Sequence, residues 1–322
     1  MTLGLVLGAG GTVGLAYHAG VLRALEREAG IVPNDADLVI GTSAGSVISA
    51  YLRSGWTTEQ MWDLVLSDGD LPPAPGDEGG VDGLPELFRL AFTTPLDGAR
   101  RALGSAFVLS RTMLRVPVPA LPALLRRAFP AGMFYMAEGR KRFRSELPEA
   151  WPDKPTWLIA VDIVSGRRMV LGRRPSRSLT LPQAVMASCA IPGLYPPVRY
   201  GRRELIDGGA HSTTNLDLAA RFGCDLIVGA VPMGYDENDP PGTILRATRR
   251  LANRSLATEV ATAKRNGAKV LLLMPSAQEV ALHGVNMMRA ANLFPVAQAA
   301  YDTTCRRLAT EPVRAMLAEA AA

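Results

Sequence analysis

The first twenty-two residues contain no Asp, Glu, Lys or Arg, and six of them are glycine: Gly4, Gly8, Gly10, Gly11, Gly14 and Gly20. Few structures accept such a stretch. A secretory leader needs a basic start, which is missing here, and a membrane-spanning helix is weakened by that many glycines. A buried strand that runs through a glycine loop into a helix satisfies both facts. Residues 3–7 form a short apolar run ending at the glycine cluster, as a buried parallel strand does. Residues 14–29 follow with Leu15, Val21, Leu22 and Leu25 at helical spacing. Residues 38–40 predict a second strand and 44–52 a second helix. Strand, glycine loop, helix, strand, sharp turn and helix make the βαβα opening of a mostly parallel sheet.

The rest of the chain extends that pattern after an interruption. Residues 68–83 are rich in Pro, Gly and acids and predict a loop. Residues 84–144 mix apolar runs with arginines and with Pro117, Pro119, Pro122 and Pro130, which predicts short helices in a lid or cap. Strands are expected at 156–164, 168–171, 204–206, 226–231 and 269–274, the first two joined as a hairpin across Ser165 and Gly166. Helices are expected at 181–190, at 243–265 and near the C-terminus. With 322 residues, 48% of them hydrophobic, the chain can bury a substantial core. The expected fold is α/β, a mostly parallel doubly wound sheet flanked by helices. It is read as one domain over 1–322 with a helical lid inserted at about 68–150.

Three cysteines (Cys189, Cys224, Cys305), no two close, argue against a disulfide framework and for a reducing compartment. The expected location is the cytoplasm, with the membrane surface as a peripheral site. Three histidines (His18, His211, His283) form no paired metal motif, so a histidine-built metal site is not expected. The net charge is only +5, but residues 98–144 carry ten Lys or Arg against Glu138, a net of +9. That segment interleaves arginines with aliphatic side chains. It is a candidate for reversible contact with an anionic membrane surface, the bland alternative being a solvated cap. Few stacking rings accompany the arginines, so no nucleic-acid partner is expected.

Three motifs carry chemistry. Gly41-Thr42-Ser43-Ala44-Gly45 fits G-x-S-x-G between an expected strand and an expected helix. Glycines two residues either side of the serine remove Cβ atoms that would clash in so tight a turn, and the helix start favours developing negative charge. The second motif spans Gly8 to Gly14, where glycines leave backbone N–H groups unshielded and two such groups can hold an oxyanion. The same loop can cradle a pyrophosphate, but a dinucleotide fold also wants an acid at the end of the next strand. That strand ends in Gly41-Thr42-Ser43, which counts against an oxidoreductase. The third is Asp207-Gly208-Gly209, ending a strand where a carboxylate can enter the crevice above the sheet. A serine nucleophile needs a proton acceptor, and Asp207 competes for that role with His211, four residues on.

Four ordered blocks give the chain a resemblance to the patatin-like phospholipase family. They are Gly10–Gly14, Gly41–Gly45, Ala187-Ser188-Cys189-Ala190-Ile191-Pro192 with Tyr195-Pro196-Pro197-Val198, and Asp207-Gly208-Gly209 with Asn215 downstream. The resemblance covers about residues 3–220 and leaves the insertion unmatched. It implies a serine–aspartate dyad of Ser43 and Asp207, an oxyanion hole at Gly10, Gly11 and Thr12, and supporting turns at Gly41, Gly45, Gly208 and Gly209. It also implies hydrolysis of lipid acyl esters without a cofactor. Val13 stands where the family usually has Arg or Lys, and Ala9 where it has glycine. This departure motivates the alternative of a non-catalytic acyl- or phosphate-binding protein on the same scaffold.

Overall fold

The computed structural model describes residues 1–67, 90–112, 127–173, 179–289 and 292–321. These divide into two compact units. The first comprises 1–71, 152–157 and 212–322, the second 72–151 and 158–211.

The first unit is built on four parallel strands, β1 (Leu3–Leu7), β2 (Leu38–Thr42), β7 (Leu226–Ala230) and β8 (Lys269–Leu273), in the order β2-β1-β7-β8. Gly4 pairs with Leu38 on one side of β1 and with Ile227 on the other, and Leu226 pairs with Lys269. Every residue of β2 and β7 is buried, which is why these strands read as unbroken apolar runs rather than alternating ones. The charge-free opening of the chain is β1, the glycine loop and the first turns of α1 (Gly11–Ala29). The helix starts three residues earlier than its apolar spacing predicts, because the loop glycines themselves form its first turn. Helices α2 (Ala44–Arg53), α3 (Thr58–Leu66), α7 (Asp217–Phe222), α8 (Thr243–Arg265), α9 (Ala277–His283), α10 (Phe294–Leu308) and α11 (Glu311–Ala321) flank the sheet.

Strand order reverses between β1 and β7, and their connections leave the sheet in opposite directions from that point. Such a switch point opens a crevice beyond the carboxyl ends of the strands. The Gly8 N–H continues the β1–β7 ladder to the Ala230 carbonyl at 3.0 Å before the chains diverge. The glycine loop therefore begins at the crevice, and Ser43 follows the carboxyl end of neighbouring β2.

The second unit is antiparallel. Strand β6 (Arg203–Asp207) pairs with β5 (Val198–Tyr200) and with β3 (Thr156–Asp162), and β3 pairs with β4 (Arg168–Leu171). The hairpin expected across Ser165 and Gly166 is present, with the Gly166 N–H closing on the Asp162 carbonyl at 2.8 Å. Helix α6 (Leu181–Ser188) starts at a capping box in which Thr180 and Gln183 each accept from the other's backbone. The expectation of short helices in the lid region needs correction. Helix α4 (Pro95–Thr112) runs eighteen residues, because Pro95 occupies its first turn, where proline is tolerated. Helix α5 (Ala137–Glu146) follows. The expected loop at 68–83, along with Pro117, Pro119 and Pro122, lies outside the described residues.

Candidate active site

Ser43 occupies the sharp turn between β2 and α2 with φ 54° and ψ −118°, a backbone region that L-residues avoid at a cost of about 1–3 kcal/mol. The surroundings impose it. A Cβ on Gly41 would stand 2.6 Å from both the Gly45 carbonyl oxygen and the Ser46 Cα, and a Cβ on Gly45 would run into the Leu7 carbonyl. Glycine at both places lets α2 lie directly on the end of β1, and the Gly45 N–H donates to the Gly8 carbonyl at 3.2 Å. The Ser43 carbonyl accepts from the Ser46 N–H at 2.8 Å and the Ser46 hydroxyl at 2.6 Å, which starts the helix. The side chain of Ser43 thus stands at a helix N-terminus, in the favourable field of the helix dipole.

The glycine loop lies against this elbow: a Cβ on Gly14 would meet the Ala44 Cβ at 3.3 Å. The loop is held from several directions. Ala9 N–H donates to Thr213 O at 2.7 Å, Val13 N–H to Met287 O at 3.1 Å, and Gly14 N–H to Gly10 O at 2.8 Å. Gly11 has φ 59°, and any side chain there would press on the Met287 carbonyl. Between these fixed points, the N–H groups of Gly10, Gly11 and Thr12 meet no acceptor among the described residues. Val13, read above as a departure, is wholly buried.

His18 supports the loop from below. Its Nε2 lies 2.8 Å from the Gly8 carbonyl and therefore carries the proton, leaving Nδ1 buried without a partner. Burial lowers its pKa to about 4, against a smaller opposing effect of the Gly8 bond. His283 is also buried and accepts from Arg249 Nη2 at Nδ1, 3.2 Å away; burial and then the Arg249 charge lower its pKa to about 3. Both histidines fold as neutral rings. A folded pKa below the unfolded value means stability that is fully present above about pH 6.5 and is lost as pH falls toward 4. For His18 the loss is on the order of 3 kcal/mol, and His283 adds in the same direction. We expect the thermal midpoint to fall steadily below about pH 6.5 and His18→Gln, which keeps the donor to Gly8, to flatten part of that fall. A wild-type midpoint flat from neutral to pH near 5 would contradict this assignment.

Asp207 ends β6 in the second unit. Its N–H donates to the Ala190 carbonyl at 2.9 Å, and its Oδ1 accepts from the Gly209 N–H at 2.7 Å. Gly208 is required by close approach, since a Cβ there would lie 2.5 Å from the Ile159 carbonyl oxygen. The carboxylate is buried, whereas His211 is exposed and donates its backbone N–H to Gly208 O at 3.0 Å. Asn215, in the first unit, has φ 56° and donates from Nδ2 to Thr42 Oγ1 at 3.1 Å, next to Ser43 in the chain. The structure thus brings Ser43, Gly41, Gly45 and the loop of Gly10, Gly11 and Thr12 together in the first unit. Asp207, Gly208 and Gly209 share one turn in the second. Sequence reasoning missed the supports behind the glycine loop, Met287 and Pro232, because neither residue type carries a motif.

A strained serine on a glycine-framed strand-to-helix turn, beside a loop of N–H groups on a mixed α/β scaffold, has the local geometry that G-x-S-x-G takes in α/β folds. The chain belongs to the patatin-like phospholipase family, whose model matches residues 5–220. It is 27% identical over 241 residues to Lysophospholipase nte1 of Aspergillus fumigatus, covering 74% of this chain and 12% of that protein. The identity to Lysophospholipase NTE1 of Coccidioides immitis is 27% over 242 residues, with 75% and 12% covered. The chain therefore spans only a small part of the length of these relatives. Among solved structures, VipD from Legionella pneumophila aligns with a TM-score of 0.45 at 14% identity, over 95% of this chain and 66% of that one. The type III effector ExoU aligns with a TM-score of 0.39 at 16% identity, over 95% and 52%.

Proposed function

We propose that this chain is a lipid acyl hydrolase of the phospholipase A or lysophospholipase type, acting through an acyl-enzyme on Ser43. The observation that carries the reading is Ser43 at positive φ at the head of α2, next to the N–H groups of Gly10, Gly11 and Thr12. Membership of the patatin-like phospholipase family and the lysophospholipase relatives support it. Asp207 is the base. As its carboxylate takes the Oγ proton, Oγ bonds to the ester carbon and the carbonyl π electrons move onto oxygen. The loop N–H groups hold that oxyanion, each donor contributing about 10²–10³ in rate. Collapse expels the alcohol, which leaves with the proton from Asp207. Water then attacks the acyl-enzyme with Asp207 again as base, releasing the fatty acid and restoring Ser43. The mechanism uses no metal or organic cofactor.

The substrate sits in a lipid aggregate, so the reading includes reversible contact with an anionic membrane surface through residues 98–144. Leu103, Leu109 and Arg100 on α4 are exposed, as are Arg127 and Phe129. Two other arginines are committed elsewhere. Arg101 pairs with Asp97 at 3.1 Å and reaches Gly132 O, and Arg111 donates to the carbonyls of Ile163 and Val164. Arg115 and Arg126 lie outside the described residues. No helix among the described residues is long and apolar enough to cross a membrane. Two engaged arginines contribute about 2 kcal/mol at such a surface, a reversible contact.

One experiment tests both parts. The protein is incubated with neutral and with anionic vesicles containing lysophospholipid, with EDTA present, and bound protein and released fatty acid are measured. Fatty acid should appear, binding should rise with anionic lipid and fall with salt, and Arg100→Glu with Arg127→Glu should weaken binding. No fatty acid from either vesicle sinks the hydrolase reading. Equal binding to both vesicles returns residues 98–144 to the role of a plain cap.

A further inference from the structure

Glu259 is a buried carboxylate on the inner face of α8, in line with buried Leu256 and Ala263. An aliphatic residue would suit that face better, since burying a carboxylate is costly unless donors surround it. Burial indeed raises its pKa, and the Ser212 and Thr214 hydroxyls and the Leu216 N–H oppose the rise. The bonds are short: Glu259 Oε2 accepts from Thr214 Oγ1 at 2.6 Å and from the Leu216 N–H at 2.8 Å. All the donors come from residues 212–216, so the charge serves that segment rather than the helix.

The segment touches the candidate site at two places. Asn215, in its left-handed conformation, donates to Ser212 O at 2.7 Å and to Thr42 Oγ1 at 3.1 Å, and Thr42 immediately precedes Ser43. Thr213 O accepts the Ala9 N–H at 2.7 Å, and Ala9 immediately precedes Gly10. The same five residues thus hold the nucleophile elbow and the glycine loop. We propose that Glu259 is a positioning residue that fixes residues 212–216 and, through them, sets the relative placement of Ser43 and the N–H groups of Gly10, Gly11 and Thr12. The proposal rests on the acyl hydrolase reading for its kinetic consequence, but its structural consequence stands apart from turnover.

The test compares Glu259→Ala, Glu259→Gln and the control Leu256→Ala, which opens a cavity on the same helix face. Each full-length variant is measured for turnover of a soluble acyl ester, for the rate of Ser43 modification by a fluorophosphonate, for Tm, and for backbone hydrogen exchange. Glu259→Ala should lower kcat by roughly 10²-fold, the effect of misplacing reacting groups by about 1 Å, with KM little changed. Exchange should rise at residues 8–10 and 42–45 as well as at 212–216. Glu259→Gln should recover most of the rate, since its Oε1 can accept from the Leu216 N–H while its Nε2 donates to the Thr214 hydroxyl. Leu256→Ala should lower Tm but keep kcat. A Leu256→Ala variant that loses kcat as Glu259→Ala does would reduce Glu259 to a plain structural group and overturn the proposal. Unchanged exchange at 8–10 and 42–45 in Glu259→Ala overturns it too, even if the wild type shows no turnover. Absence of wild-type turnover and modification defeats the hydrolase reading alone.

Discussion

Ser43→Ala is expected to lower acyl-ester turnover by a factor on the order of 10⁴ or more, because it removes the atom that forms the acyl-enzyme. Its effect on stability should be small. Alanine must adopt the same φ of 54° that serine already adopts, so the strain of the turn is unchanged. The bonds that start α2 come from the Ser43 carbonyl, not from its hydroxyl. Loss of turnover with a near wild-type Tm is therefore the expected pair of results. Retained turnover in the purified variant would show that the acyl group never resides on this serine.

Asp207→Asn comes second in expected effect, a loss of about 10²–10⁴-fold for removal of a general base. The amide keeps the size of the carboxylate, and its Oδ1 can still accept the Gly209 N–H, so the turn after β6 should survive. The amide cannot take a proton at neutral pH, which isolates the chemical role. His211→Ala should keep most of the activity, since that residue is exposed and its backbone N–H, which donates to the Gly208 carbonyl, is kept by alanine. The reverse pattern, an active Asp207→Asn beside a dead His211→Ala, would transfer the proton to histidine.

The legible parts of the fold were those in which a local rule and the tertiary environment agree. Strands β1, β2 and β7 are buried on both faces, so their apolar runs stand out from composition alone. The bounds expected for helix α8, 243–265, are those observed. Helices α3 and α9 were missed, although each begins at a capping box, Thr57 with Gln60 and Ser276 with Glu279. Those T-x-x-Q and S-x-x-E patterns were available signals. Strand β5 is three residues long and follows two prolines, so periodicity had nothing to count. In the lid region prolines suggested breaks everywhere, but in α4 the only one opens the helix.

The candidate site divides the same way. Gly41, Gly45, Gly208 and Gly10 were legible because close approach to Ser46, Leu7, Ile159 and Pro232 respectively leaves no room for a side chain, and glycine is the only residue without one. The residues behind them were not. Met287 meets the loop through its backbone carbonyl, which any residue type supplies, and it lies far along the chain. Glu259 is one glutamate in a helix rich in charge, and only its buried position distinguishes it from a solvated one. His18 carries no motif, and only the structure shows its bond to the Gly8 carbonyl.

The central claim is that Ser43 is the acyl-accepting nucleophile, and covalent trapping tests it most directly. The wild-type protein is treated with a fluorophosphonate, its intact mass is recorded, and the modified peptide is sequenced by mass spectrometry. A single adduct is expected, on the peptide containing Gly41-Thr42-Ser43-Ala44-Gly45, with the modification on Ser43 and none in Ser43→Ala. An adduct on a different serine, or fatty-acid release that continues while Ser43 remains unmodified, would contradict the account.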